Sequence, residues 1–185
     1  MKNKDYLLFD LDGRQTAPKE GITKAVQYAL KHYGIQVDDL DSLCPFIGPP
    51  LKDSFQKYYD FSEQQAKEAI QVYREYFSVT GWSQNKVFPG IPEMLGELKA
   101  AGKKLYLATS KPEVFAKQIL EHFDLASYFE FVGGADLEET RVGKGDVIQY
   151  VLDTCGLSDK KEKILMIGDR EHDVLGARKH GLECV

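Results

Sequence analysis

The chain has 185 residues, of which 43% are hydrophobic, 29% charged and 11% aromatic; this suits one ordinary domain with a modest insertion and excludes wholesale disorder. With 24 basic and 29 acidic residues the formal charge is −5, the wrong sign for a general nucleic-acid binder, although a local basic pocket for a small anion is compatible with it. Cys44, Cys155 and Cys184 are far apart and form no CxxC pair or Cys/His cluster, which argues against a disulfide framework or structural zinc site and fits a reducing cytoplasm.

The first apolar run, Tyr6-Leu7-Leu8-Phe9, is too short for a signal peptide and leads straight into Asp10 and Asp12. No run of about 20 apolar residues follows anywhere, so no membrane span is expected. Tyr6–Phe9 reads as a strand buried on both faces, ending in the loop Asp10-Leu11-Asp12-Gly13. A helical block comes next. Ile22, Ala25, Val26, Ala29, Leu30 and Tyr33 recur at helix spacing and stop at Gly34. Cys44–Pro50 is expected to be a loop, and Leu51, Phe55, Tyr58 and Tyr59 mark a second helix. Ser62 with Gln65 forms a capping box before a third, and no strand is expected from about Thr16 to Lys86.

Strands and helices then alternate. Ile91, Met94, Leu95 and Leu98 mark a helix, Leu105–Ala108 a strand, Pro112–His122 a helix and Phe129–Val132 a short strand. A helix from about Asp146 to Cys155, a strand at Ile164–Ile167 and a helix from about Asp173 to His180 complete the pattern. This is an α/β fold, a Rossmann-like parallel sheet with right-handed crossovers, into which the helical block is inserted as a separate cap. The expected division is a core of residues 1–15 and 87–185 and a cap of residues 16–86.

Ligands of such sheets bind beyond the C-terminal strand ends. Asp10 and Asp12 follow the first strand, Thr109, Ser110 and Lys111 the second, and Asp169 and Asp173 the last. Lys144 is expected in the Gly-flanked loop Val142–Gly145 after the third. Clustered carboxylates repel one another unless a cation binds them, and oxygen donors without His or Cys select a hard ion, Mg²⁺. The set therefore reads as phosphoryl chemistry, with Asp10 as nucleophile and Asp12 as acid and base. Thr109, the Ser110 amide and Lys144 would hold the phosphoryl oxygens. Ser110-Lys111-Pro112-Glu113 reads as a capping box that aims helix N–H groups at the phosphate.

Phe9–Gly13, Ala108–Lys111, Lys144 and Ile167–Asp173 resemble the four motifs of the haloacid dehalogenase superfamily. Within it the chain is most similar to the phosphoglycolate phosphatase-like subgroup, whose helical cap lies between the first two motifs. Pro45–Leu51 and Pro89-Gly90-Ile91 resemble that subgroup's cap loop and cap return. The resemblance implies Asp10, Asp12 (through its backbone carbonyl) and Asp169 as Mg²⁺ ligands, Asp173 as a supporting acid, and Thr109 and Lys144 as phosphate-binding residues. Two features depart from the family pattern. Arg14 stands where Thr or Val is usual and is expected to compete with Mg²⁺ for the carboxylates and to disturb the turn after Gly13. Leu182–Val185 begins a further strand and stops, so the usual last strand and helix look missing and the outer edge of the Ile164–Ile167 strand is expected to be unpaired.

The expected activity is Mg²⁺-dependent hydrolysis of a small phosphorylated metabolite through an aspartyl phosphate, with phosphoglycolate and 5′-nucleotides as leading candidates. A phosphomutase shares the same motifs, and a phosphatase fold turned to binding or regulation is the alternative that Arg14 and the chain end favour. A receiver domain also gathers acids, a Thr and a Lys at strand ends, but has no helical block of this size after its first strand. The sequence leaves the oligomeric state open.

Overall fold

A computed structural model of the chain describes residues 4–138 and 140–185; Met1–Asn3, the start of the expected core segment, lie outside the described residues. The strands are β1 (Tyr6–Phe9), β2 (Lys104–Pro112), β3 (Phe129–Ala135), β4 (Ile164–Ile167) and β5 (Glu183–Cys184). The helices are α1 (Lys19–His32), α2 (Leu51–Tyr59), α3 (Glu63–Tyr76), α4 (Ile91–Ala100), α5 (Glu113–His122), α6 (Lys144–Thr154) and α7 (Glu171–Lys179). The strands form one five-stranded parallel sheet in the order β3-β2-β1-β4-β5, an α/β fold.

β1 is the middle strand, with Tyr6 opposite Lys104 on one side and Ile164 on the other. Its Leu7, Leu8 and Phe9 are buried, as a strand covered on both faces requires, and each contributes roughly 1.5–3 kcal/mol of apolar burial. On one face Leu8, Tyr106, Ala108 and Met166 pack with Val147, Ile148 and Val151 of α6 and Ala177 of α7. On the other, Phe9 meets Phe129 edge to face with ring centroids 6.2 Å apart. The outer edge of β4 is paired: β5 aligns Glu183 with Leu165 and Cys184 with Met166. The Val185 N–H adds a bond to the Met166 carbonyl, and the Gly168 N–H one to the Val185 carbonyl. The expectation of a bare edge fails because four residues suffice to start a parallel ladder.

Two compact units divide the chain, one of Met1–Ala17 with Val87–Val185 and one of Pro18–Lys86. In the first, Thr16 bridges to both Asp12 and Val87, and the Phe88 N–H donates to the Gln15 carbonyl, so the outgoing and returning segments are tied together. The second unit is helical. The Ser62–Gln65 capping box is formed at the start of α3. Leu40–Phe46 is a 3-10 helix where the sequence reading put a loop from Cys44. Asp39 accepts the Asp41 N–H at its start, and Leu43 and Phe46, three residues apart, share a buried side, which is the 3-10 period. After α3 the backbone makes a π-helical turn over Phe77–Gly81.

That turn explains Gly21. A Cβ built on Gly21 would sit 1.9 Å from the Gly81 carbonyl oxygen, and its own N–H donates to the Gln84 carbonyl at 3.1 Å. Both neighbours are backbone and cannot swing away. Gly21→Ala is expected to destabilise the helical unit by at least about 2 kcal/mol, toward the upper part of the range for overpacking. A thermal melt matching the wild type would show that α1 can shift without loss.

Candidate active site

Every strand end named by the sequence reading lies in the sheet unit. Asp10 follows β1 directly. Its Oδ1 accepts the Leu11 N–H at 2.8 Å and pairs with the Lys144 ammonium at 2.8 Å, leaving Oδ2 as its oxygen without such a bond among the described residues. Lys144 is the first residue of α6 rather than part of a loop, and only 5% of it is exposed. Its Nζ also pairs with Asp173 Oδ1 at 2.8 Å and donates to the Ala108 carbonyl at 3.0 Å. Burial alone would depress the Lys144 ammonium; Asp10 and Asp173 outweigh it and hold it above the ordinary lysine value.

Asp173 lies in the first turn of α7 and is fully buried. Its Oδ2 accepts the N–H groups of Asp169 and Arg170, both at 3.1 Å. With Oδ1 on Lys144, both of its oxygens serve the frame of the site. Asp169 is more open, and its carboxylate lies against Gly13, where an added Cβ would stand 2.5 Å from Oδ2. Gly13 has φ +84°, so the turn needs glycine both for its backbone and for the space.

Carboxylate oxygens of Asp10, Asp169 and Asp173 all lie within 4.8 Å of one another, an oxygen-only group that suits a hard cation. The Asp12 side chain is not among them. Its Oδ2 pairs with the Lys111 ammonium at 2.9 Å, both residues being buried, and its Oδ1 is buried with no hydrogen-bond partner among the described residues. Burial raises the Asp12 carboxyl above its ordinary value, with Lys111 opposing. In the sequence Lys111 stands in the second motif with no role assigned to it; a lysine following a buried strand end is the signal that marks it.

Thr109 is buried, and its Oγ1 accepts the Lys111 N–H at 3.3 Å. Ser110 caps nothing. β2 stays extended to Pro112, which pairs with Ala135, and α5 begins only at Glu113 with no side-chain cap. Pairing with β3 and the bias of the residue before proline toward extended backbone outweigh the local capping pattern. Arg14 also differs from expectation. Its Nη2 donates to the Gly168 carbonyl, it makes no ion pair with a carboxylate among the described residues, and the turn around it is intact, with the Gly13 N–H bonded to the Thr16 carbonyl at 2.8 Å.

The family model for haloacid dehalogenase-like hydrolases matches residues 7–185. The chain belongs to this family. It is 50% identical over 179 residues to a Pseudomonas aeruginosa protein named 5′-nucleotidase, covering 97% of this chain and 80% of that one. The crystal structure of a predicted phosphatase from Clostridium acetobutylicum superposes with a TM-score of 0.95 at 50% identity, over 98% of this chain and 83% of the other. A structure of the Mycobacterium tuberculosis Protein Tyrosine Kinase A matches with a TM-score of 0.85 at 36% identity, over all of this chain and 84% of the other. The expectation of a haloacid dehalogenase-like hydrolase of the phosphatase type holds. Among the described residues no helix is long and apolar enough to cross a membrane, and all three cysteines are free.

Proposed function

We propose that this enzyme hydrolyses phosphomonoesters of small metabolites, with Mg²⁺ as cofactor and Asp10 as nucleophile. The observation that carries this is the juncture at Asp10, where one oxygen is held by the Leu11 N–H and Lys144 while Asp169 stands within metal-sharing distance. Asp10 and Asp169 side chains and the Asp12 carbonyl would hold the ion, with Asp173 supporting them. When bound, Mg²⁺ supplies positive charge against the phosphoryl oxygens. Asp10 Oδ2 attacks phosphorus and forms the aspartyl phosphate. Asp12, whose Oδ1 has no partner of its own, gives its proton to the departing oxygen and takes one from the water that cleaves the intermediate. Thr109, the Ser110 amide and Lys144 bind the phosphoryl group, and Lys111 keeps Asp12 in place.

The helical segment, residues 16–86, serves as the cap and sets substrate choice. 5′-Nucleotides are the first candidates, supported by the name of the half-identical relative, with phosphoglycolate beside them; a cytoplasmic setting fits the free cysteines. A panel of phosphorylated metabolites assayed with Mg²⁺, with Ca²⁺ and with excess EDTA tests the reading. Turnover is expected with Mg²⁺ only. Ca²⁺ should inhibit, because its higher coordination number lets it take up both Asp10 oxygens. Full activity in EDTA would remove the metal from the mechanism.

A further inference from the structure

Three cations already serve the four acids of the site. Lys111 pairs with Asp12, Lys144 bridges Asp10 and Asp173, and Arg170 lies 3.6 Å from Asp169. Arg14 adds a fourth cation to these four acids but pairs with no carboxylate among the described residues; it is anchored on the Gly168 carbonyl, next to Asp169 in the chain. Its Nε is buried without a hydrogen-bond partner, so the guanidinium is partly desolvated and its charge is poorly screened there. Arg170, with 46% of its side chain exposed, is well screened by comparison. The backbone at Gly168 does not depend on Arg14 for its place. The Gly168 N–H is held by Val185, and the two N–H groups that follow are held by Asp173.

We propose that Arg14 is a fixed counter-charge that weakens divalent-cation binding to the neighbouring carboxylates, so that this site needs more Mg²⁺ than it would with a neutral residue at position 14. The inference rests on the metal reading of Asp10 and Asp169 given above. A cation held beside the binding group opposes an incoming dication through space, without touching a ligand atom. Removing the charge should therefore tighten binding even though no ligand changes. Replacing the guanidinium by another donor should not loosen the loop, which has its own hydrogen bonds.

Calorimetric titration of the metal-free full chain with Mg²⁺ alone tests this, with circular dichroism confirming that each variant is folded. Arg14→Gln keeps an N–H donor and drops the charge; its Kd is expected to fall about tenfold, as loss of a nearby unscreened charge implies. Arg14→Lys keeps the charge and should stay within about twofold of the wild type. An unchanged or weaker Kd in Arg14→Gln overturns the proposal, as does an equal tightening in both variants. Asp169→Asn separates the two levels of the argument. If it abolishes Mg²⁺ binding while Arg14→Gln changes nothing, only the role of Arg14 falls. If it leaves binding untouched, the metal reading falls and the role of Arg14 with it.

Discussion

Asp10→Asn is expected to lower phosphatase turnover by at least about a thousandfold while leaving the fold in place, since removal of a covalent nucleophile takes away the intermediate itself. The amide has nearly the shape of the carboxylate and can still accept the Leu11 N–H through its oxygen, the 2.8 Å bond that fixes the side chain. It is a poor nucleophile and a weaker ligand for a hard cation. Lys144 retains Asp173 and the Ala108 carbonyl, so the loop after β1 should stay in place. The decisive comparison is initial rates at saturating Mg²⁺ together with melting temperatures. A folded variant retaining a tenth of wild-type turnover would refute nucleophilic attack by Asp10.

Lys144→Met should be the second large effect, and it should appear in stability as well as rate. Met has a similar length but no charge, and it would leave the Asp10 and Asp173 carboxylates facing one another without the ammonium that now lies 2.8 Å from each. Breaking a buried ion pair from one side costs roughly 3–5 kcal/mol, because the remaining charge is left uncompensated. With the phosphate-binding role proposed above for Lys144, losing its charge is expected to lower turnover by roughly 10²–10³. Mg²⁺ should raise the melting temperature of the variant more than that of the wild type, since a bound cation restores part of the missing charge. Equal Mg²⁺-induced shifts in the two proteins would show that Lys144 does not offset the acids that take up the metal.

Much of the fold was legible in residue patterns because burial on both faces of a parallel sheet leaves unbroken apolar runs. Tyr6–Phe9 and Ile164–Ile167 are strands with the bounds that their apolar runs mark. The Ser62–Gln65 box starts α3 because both of its partners lie within one helical turn. The order of acids, hydroxyl and lysine was equally readable, since Asp10, Asp12, Thr109 and Asp169 lie at or within three residues of a strand end and Lys144 and Asp173 lie in the first turn of the helix that follows one. What the sequence could not decide were interactions between residues far apart in the chain. Position 110 looked like a helix cap, but pairing of Pro112 with Ala135 keeps that backbone extended. Lys144 is marked in the sequence as a phosphate-binding residue, but its carboxylate partners are not. Only the packing of α6 beneath β2 buries it between Asp10 and Asp173, 134 and 29 positions away by their numbering, and makes its charge matter. The partner of Arg14 likewise stands on a different strand end, at Gly168. Local pattern determined which elements form; the sheet order, which brings β1, β2 and β4 side by side, determined which charges meet.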